Sequence, residues 1–115
     1  EGAKVMTEVY EGDPNIFAEI GVPEPETHLL KAKLVLEIMR LVRGRGLTQV
    51  SAGELMGISQ PEVSRMFKGH FREYSVERLM TLLTAFDRDV EILVRSRDDE
   101  SKGERGRITV RHEAA

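Results

Sequence analysis

In the segment Gln60–Lys68, the residues Pro61, Ser64, Arg65 and Lys68 recur at the i, i+3, i+4, i+7 spacing that puts side chains on one face of an α-helix, and Gln60 flanks that face at its amino end. Val63, Met66 and Phe67 fall at helical spacing elsewhere on the helix and are expected to pack inward. The outward set is an amide, a hydroxyl, a guanidinium and an ammonium, on a short helix whose N-terminus is free. Such a face suits the major groove of duplex DNA. There Gln pairs with adenine edges and Arg with guanine, while Lys or the helix N-terminus takes phosphate. The expected roles are base contacts from Gln60, Pro61, Ser64 and Arg65, with Gln49, Ser59 and Lys68 holding phosphates. Arg65 is the candidate for a guanine. Glu62 opposes phosphate by its charge and reads first as a capping partner, second as a possible reader of cytosine.

Two helices and a turn must position these groups. Thr48 can cap a helix from Gln49 to about Met56 by accepting from a free backbone N–H. Gly57 follows where a helix closes in a left-handed residue, which glycine adopts without steric cost. Ser59 and Glu62 form an S-x-x-E capping box for the next helix, and Ile58 with Val63 supply the matching hydrophobic staple. Pro61 lies in the first turn, where its missing N–H costs little. Gly69 closes the helix.

The stretch LTQVSAGELMGISQPEVSRMFKG (Leu47–Gly69) resembles the helix-turn-helix of phage repressors and Cro proteins, the Xre-type family. The likeness lies in Gln49 and Gln60 at the two helix starts, the small Gly53 where the helices approach, the turn Gly57 followed by Ile58, and the inward Val63 and Met66. Gly53 departs from the alanine more usual there, at roughly 1 kcal/mol of helix propensity. The resemblance extends over about Asn15 to Arg95, through NIFAEIGVPEPETHLLKAKLVLEI and DVEILV, to the subgroup of HigA-type antitoxins and their free-standing relatives. It implies a mainly α, lambda-repressor-like bundle and a dimeric repressor without cofactors. In many such systems a toxin is encoded alongside, so neutralising a toxin protein, with DNA binding for autoregulation, is the alternative reading.

Around the motif, the chain of 115 residues is long enough for one domain with tails. Three regions are expected: an irregular acidic arm over 1–26, with Ile16, Phe17 and Ile20 able to dock; a helical domain over 27–89; and a C-terminal β-hairpin over 90–115. The helix Thr27–Arg43 has a wide apolar face (Leu30, Leu34, Ile38, Leu41, Val35, Met39, Val42) and should be central to the bundle. Ser75 caps a last helix to about Phe86, whose entrance Tyr74 and Leu79 can staple. Beyond it Val90, Ile92 and Val94 alternate with Glu91, Leu93 and Arg95, and Ile108 and Val110 with Arg107, Thr109 and Arg111, which reads as two strands. A lone hairpin is marginal in water, so it needs either to pack on the helices of its own subunit or to pair with a second copy about a two-fold axis, and the second is expected.

The net charge of −3 is unevenly spread. Residues 1–37 hold three Lys/Arg against eight Asp/Glu; residues 38–82 hold seven against four, a local +3; the rest hold seven against eight. This moderate positive field is compatible with specific DNA binding. Arg43, Arg45 and Arg72 flank the motif as possible phosphate contacts, or as ordinary solvated arginines. His28, His70 and His112 are scattered without metal spacing, Asp98, Asp99 and Glu100 read as a solvated run, and Gly44-Arg45-Gly46 is too short for a phosphate loop. Catalysis is therefore not expected. Aromatic residues, at 5%, offer no stacking platform for RNA. There is no Cys, which fits a reducing cytoplasm, and neither an apolar run of membrane-spanning length nor a basic-then-apolar leader is read.

Overall fold

A computed structural model describes residues 24–97, 103 and 105–113. The docking residues expected in the acidic arm, and most of the loop after Arg97, lie outside them. Four helices are formed among the described residues: α1 Glu24–Gly44, α2 Gln49–Met56, α3 Gln60–Phe67 and α4 Val76–Thr84. α1 starts three residues before the expected Thr27, because Pro25 fits the first helical turn, where no N–H is needed. α4 stops at Thr84, short of the expected Phe86, and Asp87 then takes a left-handed φ of 59°.

α1 packs along α4 and touches α3, while α2 and α3 pack on each other. The seam between them is apolar: Ile38 of α1, Val63 and Met66 of α3, Leu79 of α4 and Phe86 beyond it are sealed from solvent. The connection after α3 also contributes Phe71, which is buried and stacks on His28 of α1 at 5.1 Å between ring centroids. Lys31 Nζ donates to the Arg72 carbonyl at 2.9 Å, so α1 grips this connection at two points and fixes how α3 leaves the bundle.

Arg45 clips the other end. Its guanidinium donates to the Phe86 carbonyl, lies 5.6 Å above the Phe86 ring and approaches Asp87 at 3.3 Å. The Asp87 side chain is almost fully exposed, so that ion pair adds little. The carbonyl bond and the ring contact tie the turn after α1 to the end of α4.

The expected β-hairpin is not formed among the described residues. Neither 90–97 nor 105–113 carries a strand ladder. The chain does fold back, since a Cβ built on Gly106 would lie 3.8 Å from Arg97 Cδ. The reason the ribbon is missing is the one that makes lone hairpins marginal. A pair of short strands inside one chain has little to bury most of its apolar side chains against. Ile92, Leu93 and Val94 are 65–73% exposed, and Val90 and Ile108 are exposed as well. Val110 differs, being partly buried on the core, and beside it His112 Nδ1 lies 3.0 Å from Glu37 Oε2 on α1. Glu37 Oε1 in turn accepts from Arg40 at 3.0 Å. No helix among the described residues is long and apolar enough to cross a membrane.

Candidate nucleic-acid interface

The site is built from two capped helix starts. Ser59 has extended backbone (φ −77°, ψ 158°), and its Oγ accepts from the Glu62 N–H at 3.2 Å while the Ser59 N–H donates to Glu62 Oε1 at 3.1 Å. The capping box read from the sequence is therefore closed. A second box stands at α2, where Ser51 N–H donates to Thr48 Oγ1 at 3.0 Å and Thr48 N–H donates to Ser51 Oγ at 2.9 Å. Only the Thr48 half of it was legible, because serine at the third position is a less obvious partner than Glu or Gln.

The turn holds the helices at short range. Gly57 is left-handed (φ 77°, ψ 28°), and the Gly53 carbonyl accepts from both Gly57 N–H at 2.7 Å and Ile58 N–H at 2.9 Å. Gly53 is itself buried, and a Cβ there would sit 2.6 Å from the Ile58 carbonyl oxygen. Glycine is required at this position by the path of the backbone. The alanine more usual there would force this backbone to shift. Across the same gap Gln60 Nε2 donates to Gln49 Oε1 at 2.8 Å, joining the two helix starts by their amides.

The faces of α3 separate as the spacing predicts: Val63 and Met66 are fully buried and Phe67 partly so. On the other side Ser59, Gln60, Pro61, Arg65 and Lys68 are exposed and Ser64 is half-buried. Thr48 is exposed and Gln49 half-buried beside them. The structure thus leaves these eight residues wholly or partly exposed on the two motif helices and their caps, with only the side chains of Gln49 and Gln60 joined directly. Arg43 and Arg72 are exposed, while the Arg45 guanidinium is engaged with Phe86. No group of metal-capable side chains occurs among the described residues.

Sequence reasoning missed one part of the site. Tyr74 does not simply close a staple with Leu79. Its hydroxyl donates to Glu62 Oε2 at 3.2 Å, and the Arg78 guanidinium lies 5.6 Å over its ring. An open groove at this pair is lined also by Arg65, His70, Glu73, Ser75 and Arg78. The i, i+4 spacing of Tyr74 and Arg78 was a readable signal; the reach of Tyr74 back to α3 was not.

Hydrogen bonds from the Ser59 backbone and then its hydroxyl hold the Glu62 carboxyl below its ordinary value of 4.5. Burial first, then the Glu62 charge, raises Tyr74 above its ordinary 10.0. A carboxyl lowered in the folded state contributes stability above its unfolded value and loses it as pH falls through the lowered one. The raised phenol behaves oppositely, contributing below about 10 and losing that contribution in stronger base. The clamp should therefore be intact across neutral pH and open in acid below the ordinary carboxylate range. Amide chemical shifts of Ser59 and Glu62 followed through an acid titration check this; shifts that move with the ordinary glutamate midpoint contradict it.

This arrangement, two short capped helices set across a glycine turn inside a four-helix bundle, defines a helix-turn-helix domain. The chain belongs to the helix-turn-helix domain family, whose model matches residues 16–95. It is similar to a solved structure described as an XRE-family transcriptional regulator, with 35% sequence identity and a TM-score of 0.72, over 79% of this chain and 100% of that one. No curated protein matches it.

Proposed function

We propose that this protein is a sequence-specific regulator of transcription that binds double-stranded DNA, reading the major groove with the exposed face of the helix Gln60–Lys68. One observation carries the reading. Val63 and Met66 are fully buried while Gln60, Pro61 and Arg65 stand exposed around a capped helix N-terminus. Base contacts then fall to Gln60, Pro61, Ser64 and Arg65, and phosphate contacts to Thr48, Gln49, Ser59 and Lys68, with Arg43 and Arg72 at the edge. Selection of bound duplexes by the purified protein, at one stated salt concentration, should enrich a defined site. Recovery of no preferred sequence would refute the proposal.

We also assign the protein a two-fold dimer acting as a repressor on a palindromic operator. One α3 contacts too few base pairs to single out a genomic site, and two must lie roughly 34 Å apart to enter successive grooves. The exposed ridge Ile92–Val94, with Val90 and Ile108, is the surface we give to the second copy, Val110 and His112 anchoring the segment to its own α1. In the dimer the two segments can gain the ladder they lack alone. A chain ending at Asp89 should sediment as a monomer where the full chain sediments as a dimer; equal assembly would refute the assignment. The same ridge also offers an apolar surface to a toxin protein. A dissimilar partner that displaces the second copy from the ridge would favour the antitoxin reading.

A further inference from the structure

We propose that the Tyr74 hydroxyl is a specificity-setting positioning group, which occupies the Glu62 carboxylate and so keeps it from reading cytosine. The proposal rests on the DNA-reading role given to α3. Glu62 is the one anionic residue in the helix Gln60–Phe67, and its two oxygens are separately employed. Oε1 accepts from the Ser59 N–H and the Ser59 hydroxyl, both at 3.1 Å. Oε2 accepts from Tyr74 Oη at 3.2 Å, across 12 residues of sequence. The Ser59 bonds are internal to the helix cap and travel with it. The Tyr74 bond comes from outside, from a half-buried ring under the Arg78 guanidinium, on a connection that α1 grips through His28 and Lys31. The ring is held from one side by Arg78 and through its own chain by the Phe71 and Arg72 contacts, and its hydroxyl points to Oε2.

Removing the hydroxyl would leave Oε2 without a donor among the described residues. It would remain on a half-exposed side chain in the first turn of the helix that carries Gln60 and Arg65. An ionised carboxylate has acceptor capacity for about four hydrogen bonds. In the major groove its natural donor is the exocyclic amino group of cytosine, while every other base edge offers it less and the phosphates repel it. Occupied, the carboxylate is a cap. Released, it becomes a further reader beside Gln60, Pro61, Ser64 and Arg65. The raised Tyr74 and lowered Glu62 fit a neutral phenol donating to a charged carboxylate.

The test is selection of bound duplexes with the full chain, its Tyr74→Phe variant and the double variant Tyr74→Phe/Glu62→Gln, at one salt concentration. Tyr74→Phe should raise cytosine enrichment roughly five-fold at one position of each half-site, leaving the other positions unchanged. The double variant should lose that gain, since glutamine keeps the capping bond but not the charged acceptor. Arg78→Ala, which loosens the ring without removing the hydroxyl, should give a smaller gain of the same kind. A wild-type base profile in Tyr74→Phe, at equal or uniformly lower affinity, would overturn the proposal and leave Tyr74 with a structural role. If the unaltered protein enriches no duplex, the DNA-reading role itself falls. If it enriches a site that Tyr74→Phe reads identically, only the present inference falls.

Discussion

Gly53→Ala should destabilise the domain by about 1–2 kcal/mol, although alanine is the better helix former. The expected gain in propensity is up to about 1 kcal/mol. Against it stands a Cβ placed 2.6 Å from the Ile58 carbonyl oxygen, a backbone atom in the turn that joins the two motif helices. No rotamer change relieves that contact, so α2 and the turn must move apart. Forcing extra volume into a well-packed site costs about 1–3 kcal/mol, and the movement also strains the paired bonds from Gly57 and Ile58 to the Gly53 carbonyl. The clash wins. The same displacement pulls Gln49 from Gln60 and tilts α3, so operator affinity should fall at least ten-fold, more than the lost stability alone would cause in a folded sample. Thermal unfolding followed by circular dichroism, with binding measured well below the transition, separates the two effects. A variant as stable as the parent would show that the close approach is not a constraint in solution.

Arg65→Ala should relax base preference at one position of the bound DNA, at about 1–3 kcal/mol per contact, while Lys68→Ala should weaken all sequences alike. The contrast follows from placement. Arg65 stands exposed in the last turn of α3, and its guanidinium makes no hydrogen bond or ion pair among the described residues, so it is available for a guanine edge. Lys68 caps the carboxyl end, farther from the helix start that would enter the groove. An ammonium there meets backbone phosphate as a point charge and carries no sequence information. Losing it should lower the slope of log affinity against log salt by about one per contact. In a dimer both losses count twice. Salt titrations on the selected site and on scrambled duplex distinguish the cases, and the reverse pattern would exchange the roles of the two residues.

The residues 59–68 were the most legible part of the chain. The Ser59–Glu62 box, Pro61 in the first turn, and the inward Val63 and Met66 all stand where the spacing puts them. Each depends on atoms within one helical turn, whose separations are set by covalent geometry and the helix repeat. The same holds for Thr48 as a cap and Gly57 as the left-handed closure. The acidic arm lies outside the described residues and offers no such comparison. The alternation over 90–95 and 107–111 was a weaker guide, because a period of two states which side chains share a face but not whether a partner strand exists.

By itself, then, the sequence determined the local units: four helices, the caps of the two motif helices and the glycine that turns between them, and an α3 with one apolar and one polar face. The tertiary structure decided how distant groups meet. It brought Gln49 to Gln60, Tyr74 to Glu62, Arg45 to Phe86 and His112 to Glu37, and it made Gly53 a steric necessity where the sequence showed only a small residue. The physical reason is range. Neighbours along a helix are held together by the chain itself, whereas residues ten or more apart meet only when burying the apolar seam fixes how the helices cross.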